Sequence, residues 1–350
     1  MNATSRQGVE VEVSLKAFIT GTGKFLPERV VPNEEIAERL GLQPEQIFKS
    51  SGIRRRRWAE AGTTTSSLAA QALQQALEDA RMNAEDVDYL LFGTMTPDRF
   101  IPGSSPSVQK ALGLREIPCL DIRATCCNAL YGLQVAKALV ASTLARRVAV
   151  CLAEIQSAWL DLTPQAGTIS MLFGDGASAF TVSNEAQPGA LEILDVHLAT
   201  DGSYVDDLGI RCPGTEFGLN TTHSASEHAS DYRARMNGQS VILQASRKIV
   251  AACQTVLARN SLATSDIRWM VPHQANANLL AQVARGLRFP TDKDGIVTVL
   301  EDTGNTSSAS MGIALDTLRR QERIRPGDYL LLPAFGAGFT WGAGLCRASL

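Results

Sequence analysis

Apolar side chains recur along this chain at two spacings, and each spacing predicts one kind of element. Leucine and alanine fall at positions i, i+3 and i+4 between Leu68 and Leu77, which is the pattern of an amphipathic helix. Buried strands are predicted where apolar runs are unbroken, at residues 89–92, 148–152 and 329–332, and the segment at residues 297–300 is also strand-like. Because these runs alternate with long helical segments, the pattern indicates an α/β fold with parallel-rich sheets covered by helices on both faces.

The chain also resembles itself at an offset of 180 residues. A helix, a polar turn and an apolar strand follow one another after Leu77, and the same order recurs after Leu257. Asp86 in the first polar turn corresponds to Asp266 in the second. The repeated order predicts that two segments of the chain fold alike.

A second pair of similar stretches supports this duplication. Phe-Gly-Asp-Gly at residues 173–176 and Phe-Gly-Ala-Gly at residues 335–338 each precede a strand of small residues. We therefore predict a duplicated five-layer α/β/α/β/α body, with one half at residues 1–187 and the other at residues 188–350. The alternative is an ordinary doubly wound α/β protein with a chance repeat.

Composition indicates a globular protein with a large core, since 45% of the 350 residues are hydrophobic and 28 are glycine. The formal net charge of -3 provides no overall positive field for nucleic acid. The one basic run, four arginines at residues 54–57, is expected to be a solvated or salt-bridged loop. Docking of an acidic carrier protein or a phosphorylated cofactor on this run is the alternative.

The seven cysteines are an odd set without a C-x-x-C pair, which argues against a disulfide scaffold and for a reducing compartment. Residues 1–14 contain no apolar core of a signal peptide. The most apolar span, residues 129–152, is interrupted by Lys137, Arg146 and Arg147. We therefore expect a cytoplasmic protein that neither spans a membrane nor binds nucleic acid.

Cys126 follows a strand-like segment at residues 119–122 and precedes a helix predicted over residues 128–144. A thiol there lies at the positive end of the helix dipole, which is expected to lower its pKa. Free backbone N–H groups at the same place can bind an oxyanion. The alternative is that Cys126 is a small buried hydrophobe, and Cys127 is the competing nucleophile, since only one of two adjacent side chains can face a site.

His273 ends a short apolar strand, where α/β sheets assemble their sites. A structural histidine is the alternative. Among the other histidines only His197 is a rival base, since His223 and His228 lie in a polar stretch.

Asn305 stands in a Gly-Asn pair, which turn formation alone would explain. Its amide can also donate a hydrogen bond to an oxyanion without acting as a base. A thiol nucleophile combined with such an imidazole and amide suits acyl transfer and decarboxylative carbon–carbon bond formation.

Taken together, these motifs resemble the type III β-ketoacyl-acyl-carrier-protein synthases of the thiolase superfamily. The resemblance covers nearly the whole chain, and residues 271–276 and 304–307 are its most specific stretches. Residues 121–124 and 131–134 look most like the secondary-metabolism branch, which includes the enzyme that condenses anthraniloyl and malonyl units for alkylquinolones. The resemblance implies the thiolase fold.

By this resemblance Cys126 is the acylated nucleophile, and His273 and Asn305 stabilise the enolate that decarboxylation leaves. The backbone N–H groups of Cys126 and Ala337 would form the other oxyanion hole. No metal and no cofactor is implied, because the substrates arrive as coenzyme A or acyl-carrier-protein thioesters.

The family also implies a homodimer in which Phe100 and Ile101 line the acyl pocket of the partner. Within one chain the implied substrate-binding residues are Phe173, Leu208 and Asn276.

Two departures concern the priming donor. Primary-metabolism members carry a Trp and an Arg that hold the adenine of coenzyme A, where this chain has Gln46 and Ser50. A carrier-protein-bound acyl group, or a differently held coenzyme A, is therefore favoured as the donor.

The expected reaction is a decarboxylative Claisen condensation of a Cys-bound acyl group with a malonyl or β-ketoacyl thioester. One alternative is an acyltransferase that moves an acyl group from a carrier protein to an alcohol or amine. Another is a non-catalytic thiolase-fold partner subunit, against which the presence of all three residues argues.

Overall fold

A computed structural model describes residues 15–217, 232–290 and 294–349 of the chain. Residues 1–14, where no signal peptide is expected, lie outside these ranges, as do His223 and His228. The elements before residue 185 are, in chain order, β1 (Phe18–Phe25), β2 (Val30–Pro32), α1 (Asn33–Ala37), α2 (Pro44–Ser51), β3 (Arg55–Arg57), α3 (Thr65–Asp79), β4 (Tyr89–Gly93), α4 (Ser105–Leu112), β5 (Cys119–Ile122), α5 (Asn128–Ala141), β6 (Arg147–Glu154), α6 (Gly167–Ser170) and β7 (Gly176–Ser183). The later elements are β8 (Leu191–Thr200), β9 (Leu208–Gly209), β10 (Arg235–Met236), α7 (Gly238–Arg259), β11 (Ile267–Met270), α8 (Ala277–Leu287), α9 (Leu300–Thr303), α10 (Ser310–Arg320), β12 (Tyr329–Gly336) and β13 (Thr340–Ala348).

Nine of the described strands form one sheet in the order β11-β12-β13-β8-β1-β7-β6-β4-β5. We call residues 1–187 the N-terminal half and residues 188–350 the C-terminal half. Each half contributes one block of adjacent strands to this sheet. The blocks join where Phe18 and Ile19 of β1 pair with Glu192 and Leu191 of β8. Since one sheet connects the halves, their division into two domains stays a prediction.

The expectation of parallel-rich sheets is wrong. β4 pairs in parallel with β5 and β6, and β11 pairs in parallel with β12. The remaining pairs of the large sheet, including β6 with β7 and β12 with β13, are antiparallel. A strand buried on both faces has an unbroken apolar sequence whichever way its neighbour runs, so the pattern could not distinguish the two arrangements.

Helices and sheet blocks stack in five layers. On the outer face of the N-terminal block, α3 packs against β1, β6 and β7. On the outer face of the C-terminal block, α7 packs against β8, β12 and β13. Helices α5 and α10 lie between the two blocks in the largest hydrophobic cluster. The predicted α/β/α/β/α order is therefore present.

The two repeated segments fold alike. Asp86 accepts a hydrogen bond from the backbone N–H of Asn83 at 2.9 Å, and Asp266 accepts the equivalent bond from Ala263 at 2.7 Å. Each aspartate thereby closes a single helical turn between a long helix and a strand.

Two predicted elements have different bounds in the structure. The strand-like segment at residues 297–300 is not a strand. Val297 N donates to Met270 O of β11 at 2.9 Å, but Val299 O and Leu300 O accept the backbone N–H groups that begin α9. The N–H of Val299 instead donates to Gln274 Oε1 at 3.0 Å, so a side chain replaces the neighbouring strand. The helix predicted over residues 128–144 ends at Ala141.

The arginines at residues 54–57 were expected to form a solvated or salt-bridged loop; Arg54 and Arg55 agree with the salt-bridged form, and the buried Arg56 contradicts the expectation. Arg54 and Arg55 form ion pairs with Glu301 and Asp302. Arg56 is fully buried and donates to Asn33 Oδ1 at 2.8 Å. The ion pairs link the start of β3 to α9, and the Arg56 bond links β3 to α1.

Among the described helices, α7 is long and apolar enough by composition to cross a membrane. Ala245, Ile249, Cys253 and Val256 of this helix are buried against the sheet. A core helix of this kind satisfies the same length and composition criteria as a membrane span.

Candidate active site

A cavity of about 140 Å³ receives side chains from both halves and is lined by all three predicted catalytic residues. Cys126 comes from the N-terminal half, and His273 and Asn305 come from the C-terminal half. The rest of the wall is largely apolar, including Ile169, Leu172, Phe173, Leu208, Met236, Val241, Ile249, Leu279 and Phe335. In such surroundings a hydrogen bond or a charge acts more strongly than in water.

Cys126 lies in a tight turn between β5 and α5, which we call the Cys126 turn (residues 124–128). Thr125 has a positive φ of 51°, an uncommon conformation for a residue with a side chain. The turn is held by a bond from Cys127 N to Ala124 O at 3.1 Å and by Asn128 Oδ1, which accepts from Ala124 N at 2.6 Å. Cys126 Sγ is 3.4 Å from Ser307 Oγ of the other half.

The pKa of the Cys126 thiol is raised, contrary to the sequence-based prediction. Burial raises it from 9.0 to about 11, the hydrogen bond with Ser307 lowers it in part, and the charge of Glu154 raises it further. A helix dipole is worth about 0.3–1 kcal/mol near the first turn. The rise to about 11 corresponds to about 3 kcal/mol, so desolvation outweighs the dipole.

The competing residues lie elsewhere. Cys127 is fully buried and its Sγ donates to Thr340 O at 3.4 Å, so it packs against β13. His197 lies on β8 paired with Ala343, and it does not line the cavity.

His273 follows β11 and is buried, with Nδ1 2.7 Å from Ser310 Oγ. The Ser310 hydroxyl donates to Ser307 O at 2.9 Å and accepts from Gln274 N at 3.1 Å. Because a hydroxyl has one proton, Nδ1 is then the donor to Ser310. Burial lowers the pKa of His273 to about 4, so the ring is neutral at neutral pH and Nε2 can accept a proton.

Hydrogen bonds of its backbone and of its side-chain oxygen Oδ1 hold Asn305 in place. Its N–H donates to Leu172 O at 2.8 Å, and its carbonyl accepts from Gly174 N at 3.1 Å. Oδ1 accepts from Ser307 N at 2.8 Å, so Nδ2 is the remaining, donor end of the amide. Within the described ranges no protein group accepts a hydrogen bond from Nδ2.

Comparisons with known proteins agree on one family. The family model for 3-oxoacyl-[acyl-carrier-protein (ACP)] synthase III matches residues 120–202, and the model for its C-terminal part matches residues 257–348. The chain is 37% identical over 332 residues to β-ketoacyl-[acyl-carrier-protein] synthase III of Chlamydia caviae, covering 95% of this chain and 97% of that one. The chain belongs to the β-ketoacyl-ACP synthase III family.

Solved structures share the fold of this synthase III chain. The 3-oxoacyl-(acyl carrier protein) synthase III of Pseudomonas aeruginosa matches with a TM-score of 0.85 at 31% identity, over 96% of this chain and 99% of that one. The priming β-ketosynthase of the R1128 polyketide pathway matches with a TM-score of 0.86 at 30% identity, over 98% and 99%. The predicted thiolase fold is confirmed, and the chain is a condensing enzyme of the acyltransferase type.

The narrower placement in the secondary-metabolism branch stays a prediction. The similar proteins include synthase III chains named for acyl-carrier-protein substrates as well as a polyketide priming enzyme. Membership of the synthase III family does not separate the two.

The three substrate-binding residues that the sequence predicts within one chain all line the cavity, but one of them has other hydrogen-bond partners. Phe173 and Leu208 line the cavity, as does Asn276. The Asn276 amide is engaged elsewhere, however: Oδ1 caps α8 through Asn278 N at 2.8 Å, and Nδ2 donates to Ser50 O at 2.9 Å. Asn276 thus joins α8 to α2, and its substrate-binding role stays a prediction.

The residues predicted for the partner's acyl pocket, and the second oxyanion-hole residue Ala337, do not line this cavity. Phe100 and Ile101 are 67% and 77% exposed and do not line the cavity of their own chain. Ala337 lies in the β12–β13 hairpin, where its carbonyl accepts from Thr125 Oγ1 at 3.3 Å. The hairpin therefore contacts the Cys126 turn, and the oxyanion-hole role of Ala337 stays a prediction.

Sequence reasoning missed three residues of this site: Ser307, Ser310 and Glu154. The serines lie next to Asn305 in a small polar run, which could have suggested side-chain partners for the thiol and imidazole. Glu154 is an acidic residue at the end of an apolar strand, and such a residue often marks a functional position. In the described ranges, no three His, Cys, Asp or Glu side chains are grouped as a metal site would require.

Proposed function

We propose that the chain performs a decarboxylative Claisen condensation at the cavity of Cys126, His273 and Asn305. The observation that carries this proposal is the convergence of a thiol, a neutral imidazole and an unpaired amide donor in one apolar cavity. The family supplies the reaction type, and the geometry supports the role of each residue.

In the first half-reaction Cys126 attacks the carbonyl of an acyl thioester. Thiol and imidazole are both neutral at rest, since burial raises the pKa of Cys126 to about 11 and lowers that of His273 to about 4. The thiol proton passes to His273 Nε2 as the carbon–sulfur bond forms, and then to the departing thiolate. The products are the acyl-enzyme and the free donor thiol.

In the second half-reaction a malonyl or β-ketoacyl thioester loses CO₂ and leaves an enolate. Asn305 Nδ2 donates to the enolate oxygen. His273 donates as well when its proton lies on Nε2, which requires the Ser310 hydroxyl to turn from Ser307 O towards Nδ1. The enolate carbon attacks the acyl-enzyme carbonyl, and the carbon–sulfur bond to Cys126 breaks as the β-ketoacyl thioester forms. Cys126 leaves as a thiolate and takes up one proton from solvent, because its own proton departed with the donor thiol in the first half-reaction.

We propose that the priming group arrives on a carrier protein, or on coenzyme A held differently from the primary-metabolism enzymes. Support comes from Gln46 and Ser50, which offer neither an aromatic ring nor a cation for the nucleotide. Both belong to α2, beside the α8 end that Asn276 caps. A product of secondary metabolism, such as a polyketide, quinolone or resorcinol, is the matching expectation.

We further propose a cytoplasmic homodimer that needs no cofactor beyond its thioester substrates. The exposed neighbours Phe100 and Ile101 support the dimer, because large apolar side chains at one loop tip favour burial by a partner. The seven cysteines are all free, which agrees with a reducing compartment.

Intact-protein mass spectrometry tests the proposal. Wild type and Cys126→Ser are incubated with acyl-coenzyme A and acyl-carrier-protein thioesters, and then with malonyl or β-ketoacyl donors. Stable acylation of wild type only, followed by discharge with CO₂ release, is expected. Discharge to alcohols or amines without CO₂ would mean heteroatom acyl transfer, and no acylation by any donor would indicate a partner subunit.

A further inference from the structure

Glu154 is a buried carboxyl for which the proposed reaction has no use. It is the last residue of β6 and has no exposed surface. Burying a carboxyl is costly unless hydrogen bonds replace its water. Its partners therefore indicate what the chain gains by placing it there.

Donors from three segments surround the Glu154 carboxyl. Ser308 Oγ donates to Oε1 at 2.6 Å. Thr96 Oγ1 donates to Oε2 at 3.0 Å, and the backbone N–H of Met95 reaches the carboxyl at 3.1 Å. Thr94 Oγ1 and Gln156 Nε2 are each 3.4 Å away. The carboxyl thus joins the ends of β4 and β6 to one side chain of the C-terminal half.

That side chain belongs to the Asn305 loop, which we define as residues 304–310. The same loop carries the Asn305 amide, the Ser307 hydroxyl beside Cys126 and the Ser310 hydroxyl beside His273. Ser307 has a positive φ of 48°, so the loop holds an unfavourable conformation that external contacts must maintain. Ser308, the residue after Ser307, provides such a contact through its hydrogen bond to Glu154 of the N-terminal half.

We propose that Glu154 is a positioning residue whose buried carboxyl, through Ser308, fastens the Asn305 loop to the strand ends beneath Cys126. It touches no reacting atom. It fixes where Asn305 Nδ2 and the Ser307 hydroxyl stand relative to the thiol. This inference rests on the proposed function, because its consequence is measured on the two half-reactions.

The charge of Glu154 provides an independent signature. Burial raises its pKa to about 7, although its hydrogen bonds lower it in part. Its negative charge is one cause of the raised pKa of Cys126. The thiol loses its proton at higher pH than Glu154, so the thiol responds to an ionised carboxylate while Glu154 titrates beside a neutral thiol. The side chains that donate to the carboxyl from the segments after β4 and β6 and from the loop carry no charge; they are Thr94, Thr96, Gln156 and Ser308.

Two variants separate anchoring from charge. Glu154→Gln keeps the shape but removes the charge and one acceptor oxygen, and Ser308→Ala removes the loop contact while Glu154 stays. Asp316→Asn is the matched control, since Asp316 is equally buried and its partners Thr22, Lys24 and Arg320 lie outside the cavity. Folding of each variant is checked by circular dichroism and thermal unfolding.

The two measurements are the alkylation rate of Cys126 by iodoacetamide across pH, followed by peptide mass spectrometry, and single-turnover rates of self-acylation and condensation. Both Glu154→Gln and Ser308→Ala should slow condensation about 10- to 100-fold, as expected for a misplaced donor, and slow self-acylation much less. Only Glu154→Gln should also lower the pKa of the Cys126 thiol. The control should match wild type in both.

Wild-type condensation in both variants, or an unchanged alkylation profile in Glu154→Gln, would overturn the proposal. If wild type itself does not self-acylate, the proposed function fails instead. The alkylation profiles still test Glu154 in that case, because they require no substrate.

Discussion

The two halves of the molecule have the same scaffold and present different chemistry at its ends. Each half places a short helical turn before a central helix, at Thr125–Cys127 before α5 and at Ser307–Ala309 before α10. Each turn begins with a non-glycine residue at positive φ, Thr125 at 51° and Ser307 at 48°. The equivalent turns meet in the cavity, where Cys126 Sγ is 3.4 Å from Ser307 Oγ.

The difference between these turns suggests how a duplicated fold makes an asymmetric site. The N-terminal turn presents a thiol, and the C-terminal turn presents hydroxyls preceded by the Asn305 amide. At the 180-residue offset His273 corresponds to Gly93, the last residue of β4, which has no side chain. One half thus provides the group that would be acylated, and the other provides donors for a negative charge. Neither half contains both.

Removing the donor of the C-terminal half should have the largest effect. Asn305→Ala is expected to slow condensation on the order of 10²- to 10³-fold, because it removes a preorganised donor to the enolate. Self-acylation uses the Cys126 thiol and the His273 imidazole rather than this amide, and it should be largely retained. Separate assays of acyl-enzyme formation and CO₂ release measure the two steps.

Asn305→Asp is the informative companion variant. It keeps the oxygen that accepts from Ser307 N at 2.8 Å and replaces the donor by a second oxygen. It should be as slow in condensation as the alanine variant. Recovery of activity in the aspartate variant would mean that Asn305 acts only by shaping its loop.

Titration provides a second contrast between the halves. Burial lowers the pKa of His273 from 6.5 to about 4, so between these values only the unfolded chain gains a proton, and stability rises with pH. Burial raises the pKa of Glu154 from 4.5 to about 7, so the folded chain gains the proton first, and stability falls as pH rises. Each contribution is about 3 kcal/mol, and the two offset one another in the shared window.

Replacing one of the two groups should reveal how the other changes the free energy of unfolding with pH. In Glu154→Gln the free energy of unfolding should rise with pH between 4.5 and 6.5, and in His273→Asn it should fall. Urea denaturation at several pH values in this window measures both. Parallel curves for the two variants would show that these groups are not the source.

Gly336 of β12 lies against the Cys126 turn, and a side chain at this position would disrupt that contact between the halves. A Cβ at this position would lie 2.2 Å from Thr125 Oγ1 and 3.0 Å from the backbone nitrogen of Cys126. Gly336→Ala should therefore cost about 1–3 kcal/mol in unfolding free energy, as overpacking does, and slow self-acylation. Gly202→Ala is the control, because a Cβ there meets nothing within 4 Å. Equal effects of both variants on acylation would remove Gly336 from the site.

The sequence predicted what depends on local pattern. The duplication, the layer order and the meeting of Cys126, His273 and Asn305 follow from periodicity and family motifs. The Glu154–Ser308 bond and the Gln274 side chain that satisfies Val299 join residues far apart in the chain, and no spacing indicates them. The pKa of Cys126 was predicted in the wrong direction, because the sequence locates a helix terminus but not the burial that opposes its dipole.

The smallest effect is expected at the turn that occurs in both halves, which Asp86 closes in one and Asp266 in the other. Asp86→Ala and Asp266→Ala each remove the carboxyl that accepts a backbone N–H at the turn before a strand. Loss of such a cap costs about 0.5–2 kcal/mol, so both variants should lower the urea midpoint by similar amounts. Asp86 also lies 3.7 Å from Arg147, but an exposed ion pair adds little. A large difference between the two variants would mean that the duplicated turns are alike in geometry but not in energy.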